Sequence, residues 1–285
     1  MSGIKVLVAG ASIAGPALAH WLRRRGAEVT VVERAAELRP GGQAVDARGV
    51  AKEVIRRMGL DAAVRAACTE TVGAYHVDVD GNVLETFRAD DNGGDGYIAE
   101  IEILRGDLSQ VLHDDTRDGV EYVFGDRIAE LTQDADGVDV TFAGSGRRRF
   151  DLVIGADGLH SGLRAMVFGP RERFVRHLGL VLAFYSVPNE FGLDHWLIEY
   201  QDQESGRSAG LRPIQDATRA MAIFCFPWAD FDIDHRDVAA QKRLLRERMT
   251  GLGWLAPRIL AHLDDTPDFY LDQVAQVVMD RWSSG

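Results

Sequence analysis

The sequence predicts an α/β protein: a doubly wound domain with a parallel sheet, interrupted by an inserted α+β domain whose sheet is mostly antiparallel. Three observations support this prediction. Residues 4–33 alternate strand, glycine-rich turn, helix and strand, which is how a doubly wound sheet begins. A later buried strand at 150–154 runs into a second glycine-containing turn. From about residue 170 onward, long alternating strands and one clear helix replace that pattern.

The individual elements follow from the spacing of apolar residues and from the residues that end each run. The run 4–8 is continuously apolar, as in a parallel strand buried on both faces, and a helix over 17–25 would end at Gly26. Further helices are predicted at 50–58, 105–116 and 238–249. Further strands are predicted at 28–32, 72–79, 82–87, 121–124, 128–133, 138–142, 174–187, 194–200, 208–211 and 219–226, with a loop at 90–96.

The composition argues against several classes of protein. The 285 residues are 46% hydrophobic, yet no apolar run approaches the roughly 20 residues of a membrane helix. The formal net charge of −12 is unsuited to a nucleic-acid partner, and the N-terminus shows no signal-peptide pattern. We therefore expect a cytoplasmic protein without membrane or nucleic-acid partners. The sequence does not decide between a monomer and a homodimer. Cys68 and Cys225 are expected to be reduced, with a disulfide as the alternative.

The first turn carries a motif for binding a dinucleotide. It reads Gly10-Ala11-Ser12-Ile13-Ala14-Gly15, and Glu33 follows 23 residues after Gly10, at the end of the second strand. Glycines let the backbone approach a pyrophosphate, the helix N-terminus stabilises its charge, and the acid hydrogen-bonds a ribose. Gly10, Ser12, Ile13, Ala14, Gly15 and Glu33 are therefore candidate cofactor-binding residues. The alternative is a turn that serves only strand–helix packing, and the motif alone does not separate NAD from FAD.

The second turn distinguishes the two cofactors. The strand ending at Ile154 runs into Gly155-Ala156-Asp157-Gly158, and Ser161 is placed to cap a short helix that reaches Arg164. The run 151–164 resembles the Asp-Gly motif of flavoprotein monooxygenases of the para-hydroxybenzoate hydroxylase type (group A). The resemblance implies that Asp157 and Gly158 lie near the flavin pyrophosphate and that Asp157 affects the reducing nicotinamide. An incidental Asp-Gly in an ordinary strand–turn–helix is the alternative.

Other segments extend the resemblance over essentially the whole chain. Those around Arg34 and Gln43 are similar to the family segment that passes close to the flavin, and Arg105 opens a helix like the family arginine that reaches the cofactor. A surface role is the alternative for Arg105. A narrower similarity links the chain to the tetracycline-inactivating branch and related polyketide hydroxylases. The family's Gly-Asp flavin motif would follow Gly285, so either this chain is a truncated form or the remainder of the protein lies beyond this sequence. In both cases we expect the flavin site of this chain alone to be incomplete.

The resemblance also implies a reaction and a division of labour. FAD, reduced by transiently bound NADPH or NADH, would react with oxygen to give a C4a-hydroperoxide that hydroxylates or epoxidises an aromatic or polyketide-like small molecule. The expected FAD-binding domain comprises 1–71 and 102–171, and the substrate-binding domain 72–101 and 172–285. No side chain is assigned as catalytic, and the histidines and cysteines form no metal-binding motif.

The substrate pocket is expected between the sheet of the second domain and the flavin ring. Its candidate lining residues are Phe184, Trp196, Arg212, Phe224 and Phe226. For the two C-terminal phenylalanines an ordinary core position is the alternative, because alternation shows only that they face the same way. Two other functions stay open: an NAD-dependent dehydrogenase, which would share the first turn, and a non-catalytic flavin- or ligand-binding protein.

Overall fold

The computed structural model describes residues 3–229, 234, 237–266 and 268–285. Its helices are α1 (Ala14–Arg24), α2 (Val50–Met58), α3 (Asp61–Ala66), α4 (Arg105–Thr116), α5 (Gly162–Phe168), α6 (Val238–Met249) and α7 (Ala256–Ala261). Its strands are β1 (Lys5–Ala9), β2 (Glu28–Glu33), β3 (Ala44–Asp46), β4 (Gly73–Val77), β5 (Val83–Arg88), β6 (Glu102–Leu104), β7 (Glu121–Phe124), β8 (Ile128–Asp134), β9 (Gly137–Phe142), β10 (Arg147–Phe150), β11 (Leu152–Gly155), β12 (Val175–Pro188), β13 (Trp196–Gln201), β14 (Ser208–Pro213), β15 (Arg219–Pro227) and β16 (Tyr270–Val277). Two short 3-10 helices cover Asp91–Gly94 and Arg171–Arg173.

The chain forms two units. The first comprises Met1–Pro40, Arg105–Arg176 and Ala275–Gly285, and the second comprises Gly41–Leu104 and His177–Val274. Compared with the boundaries expected from sequence, residues 41–71 and 102–104 belong to the second unit, and residues 172–176 and 275–285 belong to the first.

A four-stranded parallel sheet organises the first unit. Its strand order is β11-β1-β2-β7, and a three-stranded antiparallel sheet of β10, β9 and β8 accompanies it. Val6 and Val8 of β1 pack in a cluster with Ala19 of α1, whereas Leu7 packs with residues of the antiparallel sheet such as Val140. Both faces of β1 are therefore covered, which explains why its sequence is continuously apolar.

A seven-stranded sheet organises the second unit, in the order β16-β12-β15-β14-β13-β4-β5. Its pairs are antiparallel from β12 to β13 and between β4 and β5, while β13 and β4 are parallel. One face packs its alternate apolar residues against α6 and α7 in the largest core cluster of the unit. A separate two-stranded sheet pairs β3 with β6.

The structure confirms the predicted fold class and most elements. The helices predicted at 50–58, 105–116 and 238–249 have those bounds. The single strand predicted at 150–154 is wrong, because β10 pairs with β9 and ends at Phe150, and β11 then pairs with β1 after only Asp151. Sequence reasoning missed α3, α7, β3, β6 and β16.

Two further features bear on the expected class of protein. Within the described ranges, no helix is long and apolar enough to cross a membrane. Cys68 and Cys225 are free, and burial raises the pKa of both thiols.

Candidate functional site

The carboxyl ends of three parallel strands bring the two sequence motifs to one edge of the sheet in the first unit. Ala9, the last residue of β1, lies opposite Gly155 of β11 and Val32 of β2. The glycine turn that follows β1, the acid that ends β2 and the Asp-Gly turn that follows β11 are therefore neighbours. This edge, outside the carboxyl ends of the strands, is where open α/β sheets bind ligands.

Gly10 and Gly15 occupy positions that tolerate no side chain. Gly10 has a φ of +107°, and a Cβ built on it would lie 2.5 Å from the carbonyl oxygen of Ala156, which precedes Asp157. A Cβ on Gly15 would lie 1.9 Å from the carbonyl oxygen of Gly10. The two glycines thus let the turn, α1 and the Asp-Gly loop approach one another closely.

The N-terminus of α1 is open to a ligand. Ile13 is its N-cap residue, Ala14 is exposed, and no side chain of the described residues caps the first turn. The free N–H groups of such a turn favour an anion, and they are strengthened by the helix dipole. The turn therefore presents the arrangement that a pyrophosphate requires.

Glu33 holds the turn from the neighbouring strand. Its carboxylate accepts hydrogen bonds from the backbone N–H of Ala11 at 3.0 Å and of Ala35 at 2.9 Å. The acid predicted to contact a ribose thus also fixes the backbone of the glycine turn. Arg34, immediately after the strand, is exposed.

Arg105 reaches the same turn from α4. Its Nε donates to the hydroxyl of Ser12 at 3.1 Å, and the hydroxyl of Ser109 lies 3.4 Å from that of Ser12. Ser109 also donates to the carbonyl oxygen of Arg105 at 2.8 Å. The serine that replaces the middle glycine of the motif is therefore the point at which the arginine contacts the turn. Sequence reasoning missed Ser109, although its place one helical turn after Arg105 is a usable signal.

Asp157 and Ser161 begin α5. Asp157 accepts from the backbone N–H of Leu163 at 3.1 Å, and Ser161 caps the helix as predicted by accepting from the N–H of Arg164 at 2.9 Å. The buried Arg164 donates to the carbonyl oxygens of Gly158 and Leu159, and burial lowers its pKa against the opposing charge of Asp157. Arg164 therefore holds the Asp-Gly loop in place through two of the loop's backbone carbonyl groups.

These residues fit a dinucleotide cofactor. Four features lie at one edge of the sheet: the side-chain-free turn at Gly10 and Gly15, the uncapped N-terminus of α1, the Glu33 carboxylate, and Arg105 on Ser12. Gln43 lies in the second unit, just before β3, and is partly buried. In the part of the chain that the structure describes, no three His, Cys, Asp or Glu side chains are grouped to hold a metal ion.

The residues expected to line a substrate pocket divide between the two faces of the seven-stranded sheet. Phe224 and Phe226 are at most 1% exposed and lie in the core that includes α6 and α7. Both phenylalanines therefore occupy ordinary core positions, which was the alternative to a place in the substrate pocket. Trp196 stacks on Tyr75 with ring centroids 4.2 Å apart and covers Gly73, so its ring packs on its own sheet.

Phe184 and Arg212 share the opposite face, which we call the Arg212 face. Phe184 pairs with Ile223, Ile223 with Gly210, and Gly210 with Glu199, so these residues form one row across four strands. Arg212 lies on the same side as Gly210, two residues along β14. Both Phe184 and Arg212 are partly buried.

A buried carboxylate anchors Arg212. Glu102 of β6 forms an ion pair with Arg212, and their side chains are 4% and 15% exposed. The other oxygen of Glu102 accepts from the hydroxyls of Thr69 at 2.6 Å and Thr71 at 2.7 Å. Sequence reasoning missed this cluster, although an acid inside the apolar run 101–104 is a signal of a paired buried charge.

A second polar group lies beside it on the Arg212 face. Glu199 accepts a hydrogen bond from the hydroxyl of Tyr97, and Nε2 of His76 lies 3.4 Å from the same carboxylate. Desolvation and the charge of Glu199 raise the pKa of the Tyr97 hydroxyl, while the charge of Arg212 opposes that rise. The two polar groups are thus close enough for their charges to interact.

Comparisons with known proteins agree with this geometry. The family described as "FAD binding domain" matches residues 3–252. The chain is 46% identical to an uncharacterised protein of Mycobacterium tuberculosis, over 98% of this chain and 75% of that protein. It is 36% identical to a flavin-dependent monooxygenase of Legionella longbeachae, over 99% of this chain and 72% of that protein.

A solved structure shows which branch of the flavin-dependent monooxygenases this chain resembles. The crystal structure of tetracycline destructase Tet(55) matches with a TM-score of 0.88 and 37% identity, over 100% of this chain and 72% of that one. The resemblance seen in the sequence is thereby confirmed. The chain belongs to the FAD-dependent monooxygenases of the para-hydroxybenzoate hydroxylase type, near the branch that contains the tetracycline destructases.

Proposed function

We propose that the protein inserts one oxygen atom from O2 into an aromatic or polyketide-like small molecule, at the expense of NADPH or NADH. In the balanced reaction, substrate, O2, NAD(P)H and a proton give hydroxylated or epoxidised substrate, NAD(P)+ and water. Bound FAD would supply the redox chemistry by taking electrons from the nicotinamide and activating oxygen. The protein's own residues bind the cofactor, orient the substrate and exclude water.

The observation that carries this proposal is the contact between the two motif turns. Gly10 approaches the Ala156-Asp157 peptide so closely that no side chain fits, and this brings the pyrophosphate turn against the Asp-Gly loop. A dehydrogenase would need the first turn but has no need for the second beside it. The contact therefore favours the flavin monooxygenase over the NAD-dependent dehydrogenase.

The roles of the cofactor-binding residues follow from their positions in the first unit. The α1 N-terminus, with Ile13, Ala14 and Gly15, would bind the pyrophosphate, and Glu33 a ribose hydroxyl. Arg105, already fixed on Ser12, would add a positive charge near the phosphates. Asp157 and Gly158 would contact the cofactor from the third strand end. We include Arg34 and Gln43 on the resemblance alone.

The second unit would bind the substrate. The Arg212 face combines an aromatic ring, Phe184, with a guanidinium that is held in place yet remains 15% exposed. This combination suits a flat molecule with oxygen substituents. Tetracycline, named for the destructase relatives, is one molecule of this kind, and we propose a substrate of that general class.

The first test is retention of FAD by the purified, desalted protein, followed by its visible absorption spectrum. We expect flavin bands, and NAD(P)H oxidation that accelerates when tetracycline is added as the probe. Asp157→Ala should lose FAD or slow flavin reduction. Ser161→Ala is the matched control, because it removes the other α5 cap without removing a charge.

Each failure has a distinct meaning. A protein that retains FAD but oxidises NAD(P)H at the same slow rate with every aromatic or polyketide probe would be a binding protein. A protein that binds NAD but not FAD would be a dehydrogenase. Equal behaviour of Asp157→Ala and Ser161→Ala would show that Asp157 acts only as a helix cap.

A further inference from the structure

The Glu102 cluster is built more firmly than a surface ion pair. The carboxylate is 4% exposed, with Thr69 and Thr71 on one oxygen and Arg212 on the other. Buried charges persist when they are paired and hydrogen-bonded, and here three partners occupy three of the roughly four acceptor positions of the Glu102 carboxylate. The guanidinium is therefore anchored to this carboxylate through Nη1, and one of its five N–H donors is already used.

The net charge near Arg212 is lower than the charge of the arginine alone. Glu102 cancels the charge of Arg212, and Glu199 lies nearby with Tyr97 and His76 as its partners. Gly210 lies opposite Glu199 and two residues from Arg212, so no side chain separates Glu199 from Arg212 at this position. A Cβ on Gly210 would lie only 3.1 Å from Cγ of Glu199. A ligand oxygen approaching Arg212 thus meets a neutralised pair and a second carboxylate.

We propose that Glu102 is a specificity-determining residue that makes the Arg212 face select uncharged oxygen groups, such as carbonyls and phenolic hydroxyls, over carboxylates. This inference rests on the proposed function, because it takes the Arg212 face as the substrate site. A carbonyl or hydroxyl oxygen can accept from the remaining N–H donors of Arg212 at no electrostatic cost. A carboxylate would instead add a negative charge to a site where the carboxylates of Glu102 and Glu199 already lie close to the guanidinium.

Glu102 would act by repelling a ligand carboxylate as well as by positioning Arg212. Specific sites commonly exclude the wrong ligand through an unfavourable charge rather than only by attracting the right one. Removing the charge of Glu102 would leave Arg212 without its ion-pair partner in a largely buried place, with only the more distant Glu199 as an opposing charge. Such a guanidinium should recruit the anion that the native pair rejects.

The test uses two probes of nearly the same shape, anthracene-2-carboxylate and anthracene-2-carboxamide. Each is titrated by fluorescence into protein supplied with FAD, in the absence of NAD(P)H, so that binding is measured without turnover. We expect the native protein to bind the carboxamide about tenfold more tightly, and Glu102→Gln to gain about tenfold in affinity for the carboxylate. Glutamine keeps the shape and an acceptor for Thr69 and Thr71.

Two further variants separate charge from structure. Glu100→Gln is the matched control: it removes an exposed carboxylate two residues away, paired with Lys52 and Arg65, and should leave the ratio of the two affinities unchanged. In the double variant Glu102→Gln/Arg212→Gln the gain in carboxylate affinity should vanish, because the guanidinium that causes it is gone. That variant also leaves no buried charge unpaired.

The proposal is overturned if Glu102→Gln binds the carboxylate no better than the native protein. It is also overturned if the gain persists in the double variant, or if none of the proteins binds either probe. FAD retention is recorded on the same samples. A protein that binds FAD and shows no change in probe preference therefore contradicts only this inference, whereas a native protein that binds no added FAD, even at saturating concentration, contradicts the proposed function.

Discussion

The carboxylate of Glu33 accepts a hydrogen bond from the backbone N–H of Ala11 at 3.0 Å, and thereby joins the end of β2 to the glycine turn after β1. Its other oxygen accepts from the N–H of Ala35 at 2.9 Å. The sequence predicted this acid only as a ribose ligand. The structure adds a second role, because the acid also fixes the backbone that would receive the pyrophosphate.

Replacing Glu33 should therefore weaken FAD binding in two ways. We expect Glu33→Ala to raise the Kd for FAD at least about tenfold, because the ribose contact and a restraint on the turn are lost together. Glu33→Gln should have a smaller effect, since its amide oxygen can still accept from Ala11. Quenching of FAD fluorescence during titration measures both.

Glu37→Ala is the control for Glu33, because Glu37 is an exposed acid a few residues further on. An equal loss of affinity in Glu33→Ala and Glu37→Ala would mean that only the net charge matters. Unchanged affinity of Glu33→Ala for FAD would show that Glu33 does not contribute to FAD binding.

A methyl group at position 15 should disrupt the turn. In Gly15→Ala the new Cβ would lie 1.9 Å from the carbonyl oxygen of Gly10, so the N-terminus of α1 must move away from β1. We expect loss of FAD retention and a lower melting temperature. In Gly144→Ala the new Cβ would meet its nearest atom at 3.4 Å, an ordinary contact, so this control should keep both properties.

The sequence predicted which candidate cofactor residues lie together better than it predicted the neighbours of the candidate substrate residues, and the reason is physical. Gly10, Glu33 and Asp157 belong to short motifs next to strand ends, so the parallel sheet determines their neighbours. Glu102 and Arg212 are 110 residues apart, and only the tertiary fold pairs them. Phe224 and Phe226 were ambiguous because both faces of their strand carry apolar residues, and alternation does not show which face meets the helices.

Two phenylalanines on opposite faces of the sheet should respond differently to truncation. Phe224 is fully buried and stacks near Tyr185, so Phe224→Ala should lower the free energy of unfolding by about 3–5 kcal/mol. Phe184 is only partly buried on the Arg212 face, so Phe184→Ala should lose less stability and instead raise the KM for an aromatic substrate. Urea unfolding and steady-state kinetics separate the two effects. A larger loss of stability in Phe184→Ala would contradict this assignment.

Asp126 provides a test that depends on pH and does not involve the cofactor. Its carboxylate, just after β7, holds the turn between β9 and β10 by accepting from the hydroxyl of Ser145 and from the backbone N–H groups of Gly144 and Ser145. It also accepts from the backbone N–H of the adjacent Arg127. The hydrogen bond from the Ser145 side chain, followed by the backbone N–H groups, lowers the pKa of Asp126 from an ordinary 3.8 to about 2. Because the pKa is lower in the folded state, the ionised carboxylate stabilises the fold above about pH 4, and this stabilisation is lost as the pH falls toward 2.

Asp126→Asn should therefore be less stable than the native protein at neutral pH, and the difference between them should shrink as the pH falls from about 4 to about 2. Chemical unfolding at a series of pH values measures this difference directly. Asp136→Asn, which removes an exposed carboxylate in the β8–β9 turn, should track the native protein over the same range. A difference between Asp126→Asn and the native protein that stays constant with pH would mean that the shape of the side chain, and not its charge, holds the turn.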